Sequence, residues 1–249
     1  MKLQLHYPIK LCKVSQPFGV NWGADYKKLL GLEGHPGQDL VNEPGTVNLS
    51  FGIPVRASHN GRVISVETDT NGGHTVVLVT DDQYDYNGAQ TYFKTVYAHL
   101  KTGSIVVSSG TPGKGYEEGQ LVKTGDILGL CGSSGVIPGA TVEDPKVSHV
   151  HFGLKPAKFI ETDASGQKLE SPYWANSEQN NGYGGAIDNN SSWSGKYAED
   201  IKAEVDALAI ATNIVKETAT APIPNETKSA ILQKVEDFLN ELKNIITNL

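Results

Sequence analysis

The chain has few residues of several kinds that would mark a particular class of protein. Only two of its 249 residues are cysteine, too few for a disulfide framework or for a metal site with four thiolate ligands. Only two are arginine, Arg56 and Arg62, and the formal net charge is −7. Guanidinium clusters that grip nucleic-acid phosphates are therefore missing, and nucleic acid is a poor candidate partner.

Long apolar runs are also absent. The longest, Val76–Val79 and Ala207–Ala211, are far shorter than the roughly 20 residues that cross a bilayer. The opening residues Met1–Pro8 break their apolar character every second residue, so they do not supply the core of a secretory signal. We expect no membrane span, and a chain that is either mature as given or leaves the cell by another route.

The two cysteines, Cys12 and Cys131, are interpreted as small buried residues. A single bridge between them would form only in an oxidising compartment and only if their Cα atoms come close enough. The spacing in the sequence leaves this pairing open.

Short β-branched runs separated by glycine, asparagine and aspartate fill residues 10–155, which predicts an antiparallel, mainly β domain. The Asn71–Gly72 pair tolerates positive φ and is suited to close a hairpin. Four glycines and a proline predict an exposed loop at Ser108–Gly119. The predicted strands are Arg62–Thr68, His74–Thr80, Thr91–Leu100, Ser104–Val107, Ile127–Cys131 and Ser148–Leu154.

The composition changes after residue 164. Residues 165–196 are rich in Asn, Ser and Gly and are predicted to be a linker or surface segment, with a domain boundary there. Residues 197–249 show helical periodicity interrupted at residues 221–224, which predicts a helical hairpin. Its wide apolar stripe fits an oligomerisation or docking surface as well as packing back on the β domain. The stripe comprises Ile201, Val205, Leu208, Val215, Ile231, Val235, Phe238, Leu242, Ile245 and Leu249.

Four of the seven histidines lie in three short patterns. In His35-Pro36-Gly37-Gln38-Asp39 the proline and glycine argue against a helix, so an imidazole and a carboxylate would converge from an extended or irregular segment. Both groups are ligand types that zinc accepts.

The second pattern is His149-Val150-His151, inside an apolar run. On a strand both imidazoles would enter one cleft, while Val150 and Phe152 face the other side. The third, Tyr97-Ala98-His99-Leu100, ends a predicted strand. Each pattern alone is weak, but their conjunction is specific. The remaining three histidines have no such context and are interpreted as ordinary core or surface residues: His6, His59 and His74.

In this order the three patterns resemble the lysostaphin-type zinc metalloendopeptidases, which cut peptide cross-links in bacterial peptidoglycan. The resemblance covers roughly residues 14–154 and includes Gln16-Pro17-Phe18-Gly19 and the glycine-rich stretches Gly119–Asp126 and Gly129–Gly132. It implies that residues 1–164 form a two-sheet antiparallel β domain with a zinc cleft above one sheet.

The resemblance also implies residue roles. His35, Asp39 and His151 match the ligands of one zinc ion, and His99 and His149 match the unliganded catalytic pair that handles protons. Three protein ligands leave a fourth zinc position open for water, as a catalytic site requires. Either catalytic histidine could take a proton from the water and deliver it to the leaving amine. No other cofactor is implied.

This chain departs from the family pattern in two places. Val136–Lys146 and Val41–Phe51 look expanded, and both adjoin motif residues, so we expect them to wall the substrate groove and change which cross-bridge fits. Tyr26 lies nine residues before His35; its hydroxyl either assists the oxyanion or belongs to an ordinary half-buried tyrosine.

The predicted function is therefore a zinc-dependent endopeptidase acting on peptidoglycan outside the cytoplasmic membrane. Without a visible export signal, we expect a phage-encoded lytic or virion-associated enzyme, with the C-terminal helices serving self-association or virion assembly. The alternative is a non-catalytic cell-wall-binding or assembly module that retains the fold, although no residue of the three patterns is lost. A phosphate-binding loop at residues 110–115 is excluded because it lacks the P-loop order.

Overall fold

The structure is a computed structural model. It describes residues 2–21, 26–43, 48–137 and 140–220, together with residues 229–230, 233–234, 236–237 and 240. The chain forms two compact units, residues 1–199 and 200–249.

The first unit is built mainly of β-strands. They are β1 (Leu5–Tyr7), β2 (Cys12–Gln16), β3 (Gln38–Asn42), β4 (Pro54–Arg56), β5 (Gly61–Asp69), β6 (Gly73–Thr80), β7 (Tyr84–Tyr86), β8 (Ala89–Leu100), β9 (Leu121–Val122), β10 (Ile127–Leu130), β11 (Val150–Thr162), β12 (Lys168–Asn176) and β13 (Trp193–Tyr197). The helices are α1 (Tyr26–Leu30), α2 (Gly115–Glu118) and α3 (Ala198–Thr220), with 3₁₀ turns at Pro145–Val147 and Asn190–Ser192.

One large antiparallel sheet organises the first unit. Its strand order is β2-β3-β11-β8-β6-β5-β9, with β12 pairing β11 and β7 pairing β8. Two smaller sheets pair β4 with β10 and, in parallel, β1 with β13. The predicted mainly β, antiparallel class is confirmed, and so is the hairpin of β5 and β6.

The core lies against one face of the large sheet. Phe93 and Tyr97 of β8 and Phe152 and Leu154 of β11 are buried, as the period of two along a strand requires. Val55 of β4 and residues of β10 belong to the same apolar cluster, so the small β4–β10 sheet forms the second layer. The opposite face of the large sheet is left for the site.

The central aromatic residue of this core has a polar role as well. Tyr97 and Phe152 meet edge to face with ring centroids 5.3 Å apart. The Tyr97 hydroxyl accepts hydrogen bonds from the Ser58 backbone N–H at 2.9 Å and from Thr95 Oγ1 at 3.3 Å. The tyrosine of the third sequence pattern therefore anchors β8 two residues before His99.

One local prediction was wrong, and one is refined by the structure. Ser104–Val107 is not a strand: its backbone link to β10 is a hydrogen bond from the Val106 N–H to the Leu128 oxygen, and the Leu130 N–H donates to Ser104 Oγ instead of to the backbone. Val106 is largely exposed. The exposed loop at Ser108–Gly119 contains the short α2. A single ladder bond does not hold an extended segment in a sheet.

The segment 165–196, predicted to be a linker or surface segment, contains a strand that joins the large sheet. Its strand β12 pairs with β11 along Ala157–Ile160, and Ile187 makes an isolated bridge to Leu154. The side chains of Lys168, Glu170 and Tyr173 on this edge strand are exposed, so the sequence does not show the alternation of apolar and polar residues that predicts a strand. The compact first unit runs to residue 199, whereas the predicted division at 164 and 196 remains a prediction.

The C-terminal unit contains most of α3, which agrees with the helical periodicity predicted after Tyr197. Val205, Leu208 and Ile210 are exposed on it. The second half of the predicted stripe, Ile231, Val235, Phe238, Leu242, Ile245 and Leu249, lies outside the described residues. The hairpin and its docking role remain predictions. Among the described helices, none has the length and apolar character needed to cross a membrane.

The two cysteines are free thiols in this structure. Cys131 is buried in the core, and Cys12 is partly buried and packs against the core. Burial raises the pKa of Cys12 to about 12, so this thiol stays protonated near neutral pH.

Candidate active site

Pairing of two strands brings the first and second sequence patterns together. In the β3–β11 ladder Asp39 lies directly opposite His151. His35 precedes β3 in an irregular segment, where its Nδ1–H donates to the Pro17 carbonyl at 3.1 Å. This bond leaves His35 Nε2 free to face the cleft. Gly37, between His35 and Asp39, packs so closely on the His151 ring that a Cβ there would lie 2.9 Å from it.

Three donor atoms converge at this point. His35 Nε2 lies 2.9 Å from His151 Nδ1, and Asp39 Oδ1 lies 3.1 Å from each of these nitrogens. Zinc–ligand bonds of about 2.05 Å at the tetrahedral angle would place two ligand atoms about 3.3 Å apart. The side chains are only 2%, 12% and 16% exposed for His35, Asp39 and His151. The donor set therefore fits a zinc ion, and these three residues could hold a metal.

Electrostatics favours the protonation states that metal binding requires. Burial acts to raise the pKa of Asp39, but hydrogen bonds with His151 and His35 outweigh it and hold this pKa well below its usual range. Burial lowers the pKa of His151, although the carboxylate of Asp39 opposes that shift. The site thus presents an ionised carboxylate and a neutral imidazole, which are the forms that bind metal ions.

His99 stands at the end of β8 in an unusual backbone conformation. Its φ of +61° is in the left-handed region, which a residue with a side chain seldom adopts. The conformation is held by hydrogen bonds from the His99 N–H to the Gly72 oxygen at 2.8 Å and from the Gly132 N–H to the His99 oxygen at 3.1 Å. Its ring Nδ1–H donates to the Ser134 carbonyl at 2.8 Å. Strain that is held in place in this way is common at functional sites.

His149 lies beside His99, with ring centroids 4.7 Å apart. Its Nδ1–H donates to the Val147 carbonyl at 2.9 Å, and its Nε2 lies 3.6 Å from Asp39 Oδ1. Burial, with His149 and His151 adjacent, lowers the pKa of His99 to about 3, so this imidazole is neutral. All five residues singled out in the sequence therefore meet in one cluster.

The sequence did not single out Glu143, which supports this cluster. Its carboxylate accepts hydrogen bonds from the Thr102 and Ser133 N–H groups, each at 2.7 Å. Ser133 precedes Ser134, the residue whose carbonyl orients the His99 ring. Glu143 matches no motif of the sequence, so only the folded chain reveals this contact.

Both expanded segments border the cluster. In Val41–Phe51, Asn48 donates to the Ser148 carbonyl at 2.7 Å, next to His149. Val136–Lys146 contributes to a cavity of about 270 Å³. The lining of that cavity includes Thr68, His74, Ser134, Ile137 and Glu143. Residues 44–47 and 138–139 of these segments lie outside the described residues.

Tyr26, the first residue of α1, also lies near the metal-ligating group. Its ring centroid is 5.5 Å from that of His35, and its hydroxyl accepts a hydrogen bond from Gln16 Nε2 at 2.9 Å. Burial raises the pKa of Tyr26, with the charge of Asp39 adding to the shift. The phenol is therefore protonated and keeps a hydrogen to donate.

The three remaining histidines make their own hydrogen bonds elsewhere in the first unit. His6 Nδ1 bonds with Ser194 Oγ at 2.8 Å, His59 Nε2 with Thr95 Oγ1 at 2.8 Å, and His74 Nδ1 with Thr68 Oγ1 at 2.8 Å. None of these bonds involves the five-residue cluster.

A family model described as peptidase family M23 matches residues 33–163, which is 131 of the 249 residues. No curated protein shows a significant match to the chain. A zinc-containing peptidase from Vibrio cholerae is 23% identical over 63% of this chain and 37% of its own, with a TM-score of 0.40. This chain thus spans little more than a third of that protein. LytU is 21% identical over 72% of this chain and 81% of its own, with a TM-score of 0.41. A chain of the SpoIIQ–SpoIIIAH pore-forming complex is 18% identical over 82% and 99%, with a TM-score of 0.43.

Proposed function

The chain belongs to peptidase family M23, and on that premise we propose that it is a zinc-dependent endopeptidase that hydrolyses peptide cross-links of bacterial peptidoglycan. The observation that carries the proposal is the triangle of donor atoms on His35, Asp39 and His151, with His99 and His149 beside it. Three ligands leave a fourth zinc position open for water, and the two further imidazoles can transfer protons during hydrolysis of an amide.

His35, Asp39 and His151 would hold one zinc ion in this proposal. When bound, zinc supplies Lewis acidity to the scissile carbonyl and makes a water molecule acidic near neutral pH. Asp39 contributes one negative charge to the site, and the hydrogen bond from His35 to Pro17 fixes the orientation of that ring. The low exposure of these side chains limits competition from bulk water.

His99 and His149 would carry the proton. Each ring donates its Nδ1–H to a backbone carbonyl, which leaves its Nε2 to face the cleft. The His99 ring is neutral, so its Nε2 is unprotonated. Such a nitrogen can accept a proton from the attacking water and return it to the leaving amine. The two rings share this anchoring, so either could act as the general base. The Tyr26 hydroxyl is a candidate donor to the oxyanion.

The test is digestion of purified peptidoglycans of differing cross-bridge chemistry, with zinc removed and then restored. Released fragments are read by mass spectrometry. New amino termini that appear only with zinc support the proposal and identify the bond. Zinc-loaded protein that binds the wall and releases nothing would favour the binding or assembly alternative. The expectation that the enzyme is phage-encoded and acts at the cell wall stays a prediction.

Two variants separate the proposed roles. Asp39→Ala should lose zinc and activity together, because it removes a charged ligand. His99→Ala should keep much of its zinc and lose turnover by roughly 10²–10⁴-fold, the usual contribution of a positioned acid or base. His6→Ala, a histidine outside the cluster, is the matched control and should retain both properties. Equal zinc loss in the Asp39 and His99 variants would refute this division of roles.

A further inference from the structure

The sheet face that carries the metal-ligating group also carries two opposed lysines. Lys94 of β8 lies directly opposite Lys155 of β11, and His151 of β11 lies opposite Ala98. Because residues at intervals of two share a face, His151, Lys155 and Lys94 point to the same side of the sheet. Four residues of strand place Lys155 about 13 Å from His151.

These two lysines do not stabilise the pairing of β8 with β11. Like charges directly opposite each other destabilise an antiparallel pair. Neither lysine forms an ion pair within 4.0 Å among the described residues. Lys94 Nζ donates to the Trp174 carbonyl at 3.3 Å, and Lys155 Nζ donates to the Gly184 carbonyl at 3.1 Å. An ammonium group has three hydrogens, so each lysine keeps donors for another partner.

The pKa shifts of both lysines agree with a positively charged site that lacks a close anion. Burial and the charge of Lys155 together lower the pKa of Lys94 to about 8. Burial also lowers the pKa of Lys155. The charge of Glu67 opposes both shifts without reaching ion-pair distance. An anion placed between the two ammonium groups would relieve their repulsion.

Two buried polar atoms beside the lysines lack partners. Asn176 and Trp174 of β12 lie opposite Ala157 and Phe159 of β11, which places them on the same face as Lys155. Asn176 Oδ1 and Trp174 Nε1 are buried and make no hydrogen bond. Buried polar groups in native proteins nearly always have a partner, so an unpaired acceptor and an unpaired donor here indicate a ligand or ordered water.

We propose that Lys94 and Lys155 form an anion-binding subsite that receives a free carboxylate of the peptide substrate. The inference rests on the proposed endopeptidase function, because a peptide held at the metal-ligating group would run over this face. At about 3.3 Å per extended residue, the 13 Å separation places the carboxylate about three to four residues from the scissile bond.

The experiment uses the zinc-loaded full chain and pairs of peptides that differ only in one group, a side-chain carboxylate or its carboxamide, three or four residues from the cleaved bond. Wild-type protein should show a KM about tenfold lower for the carboxylate peptide, as one charged hydrogen bond provides, with kcat little changed. Lys94→Gln and Lys155→Gln should each abolish that preference while leaving the carboxamide peptide unaffected.

Lys158→Gln is the matched control. Lys158 lies on the same strand but points to the other side and is exposed, so its loss should keep the preference. Equal KM values for the two peptides in the wild type would overturn the proposal. So would lysine variants that weaken both peptides equally, since that result indicates a general structural effect.

Direct binding separates this inference from the proposed function. If the zinc-loaded wild type cuts none of the peptides, the endopeptidase proposal fails in that test, and titration of the intrinsic tryptophan fluorescence then measures affinity alone. A carboxylate peptide that binds about tenfold more tightly than its carboxamide, in the wild type but not in Lys155→Gln, would still support the subsite. Equal affinities would overturn it.

Discussion

Gly37 should be intolerant of even one added methyl group. A Cβ at this position would lie 2.5 Å from the Phe152 carbonyl oxygen and 2.9 Å from Cε1 and Nε2 of the His151 ring. Ordinary contact begins at 3.4 Å, so the oxygen and the new carbon would have to separate by a further 3.4 − 2.5 = 0.9 Å. Phe152 is paired with Gln38 in the β3–β11 ladder, so its oxygen does not move without that ladder.

Gly37→Ala should therefore displace His151 from Asp39 and strain the strand pair. Overpacking of this kind usually lowers the free energy of unfolding by about 1–3 kcal/mol. Disturbing the group that positions a metal ligand typically reduces metal affinity by about 10–100-fold. Zinc affinity is measured by chelator competition, and the free energy of unfolding by urea denaturation of the zinc-free protein.

Gly129→Ala provides the control. Gly129 lies in β10, and a Cβ there would meet no atom closer than 3.4 Å. This variant should keep wild-type zinc affinity and stability. Wild-type zinc affinity in Gly37→Ala, or equal losses in both variants, would refute the argument that close packing at Gly37 holds His151 in place.

Two further predictions concern the support of His99. Tyr97→Phe leaves the buried Ser58 N–H without its acceptor, so the free energy of unfolding in urea should fall by about 1–3 kcal/mol, and an unchanged value would contradict this role. Glu143→Gln offers one acceptor oxygen to two backbone N–H groups, so the Ser133–Ser134 segment should shift and kcat should fall by about tenfold while zinc content is unchanged. Loss of zinc in Glu143→Gln would argue against a positioning role. So would an unchanged kcat in Glu143→Gln together with a Glu143→Asp variant that is less active than Glu143→Gln.

The metal-ligating group was predictable because its signals are local. The spacing of His149 and His151 on a strand is enough to place both rings on one face, with Val150 and Phe152 buried on the other. Pro36 and Gly37 are enough to exclude a helix between His35 and Asp39. The resemblance to a known family then predicted that these segments, which are more than 100 residues apart in the chain, form one site.

The elements that were missed depend on pairing between distant segments. β12 has exposed charged residues and a proline, so its own sequence does not show the period of a strand; β11 holds it in the sheet. Ser104–Val107 has strand-like residues but makes too few ladder bonds to form one.

By itself, the sequence determined the mainly antiparallel β class, the β5–β6 hairpin, the start of α3 and the identity of the five clustered residues, because periodicity and turn chemistry act over a few neighbouring residues. Tertiary structure alone decided the strained conformation of His99, its support by Glu143, and the opposition of Lys94 and Lys155. Each of these depends on the register between strands or on contacts across loops, and side-chain patterns along a single segment contain no information about that register.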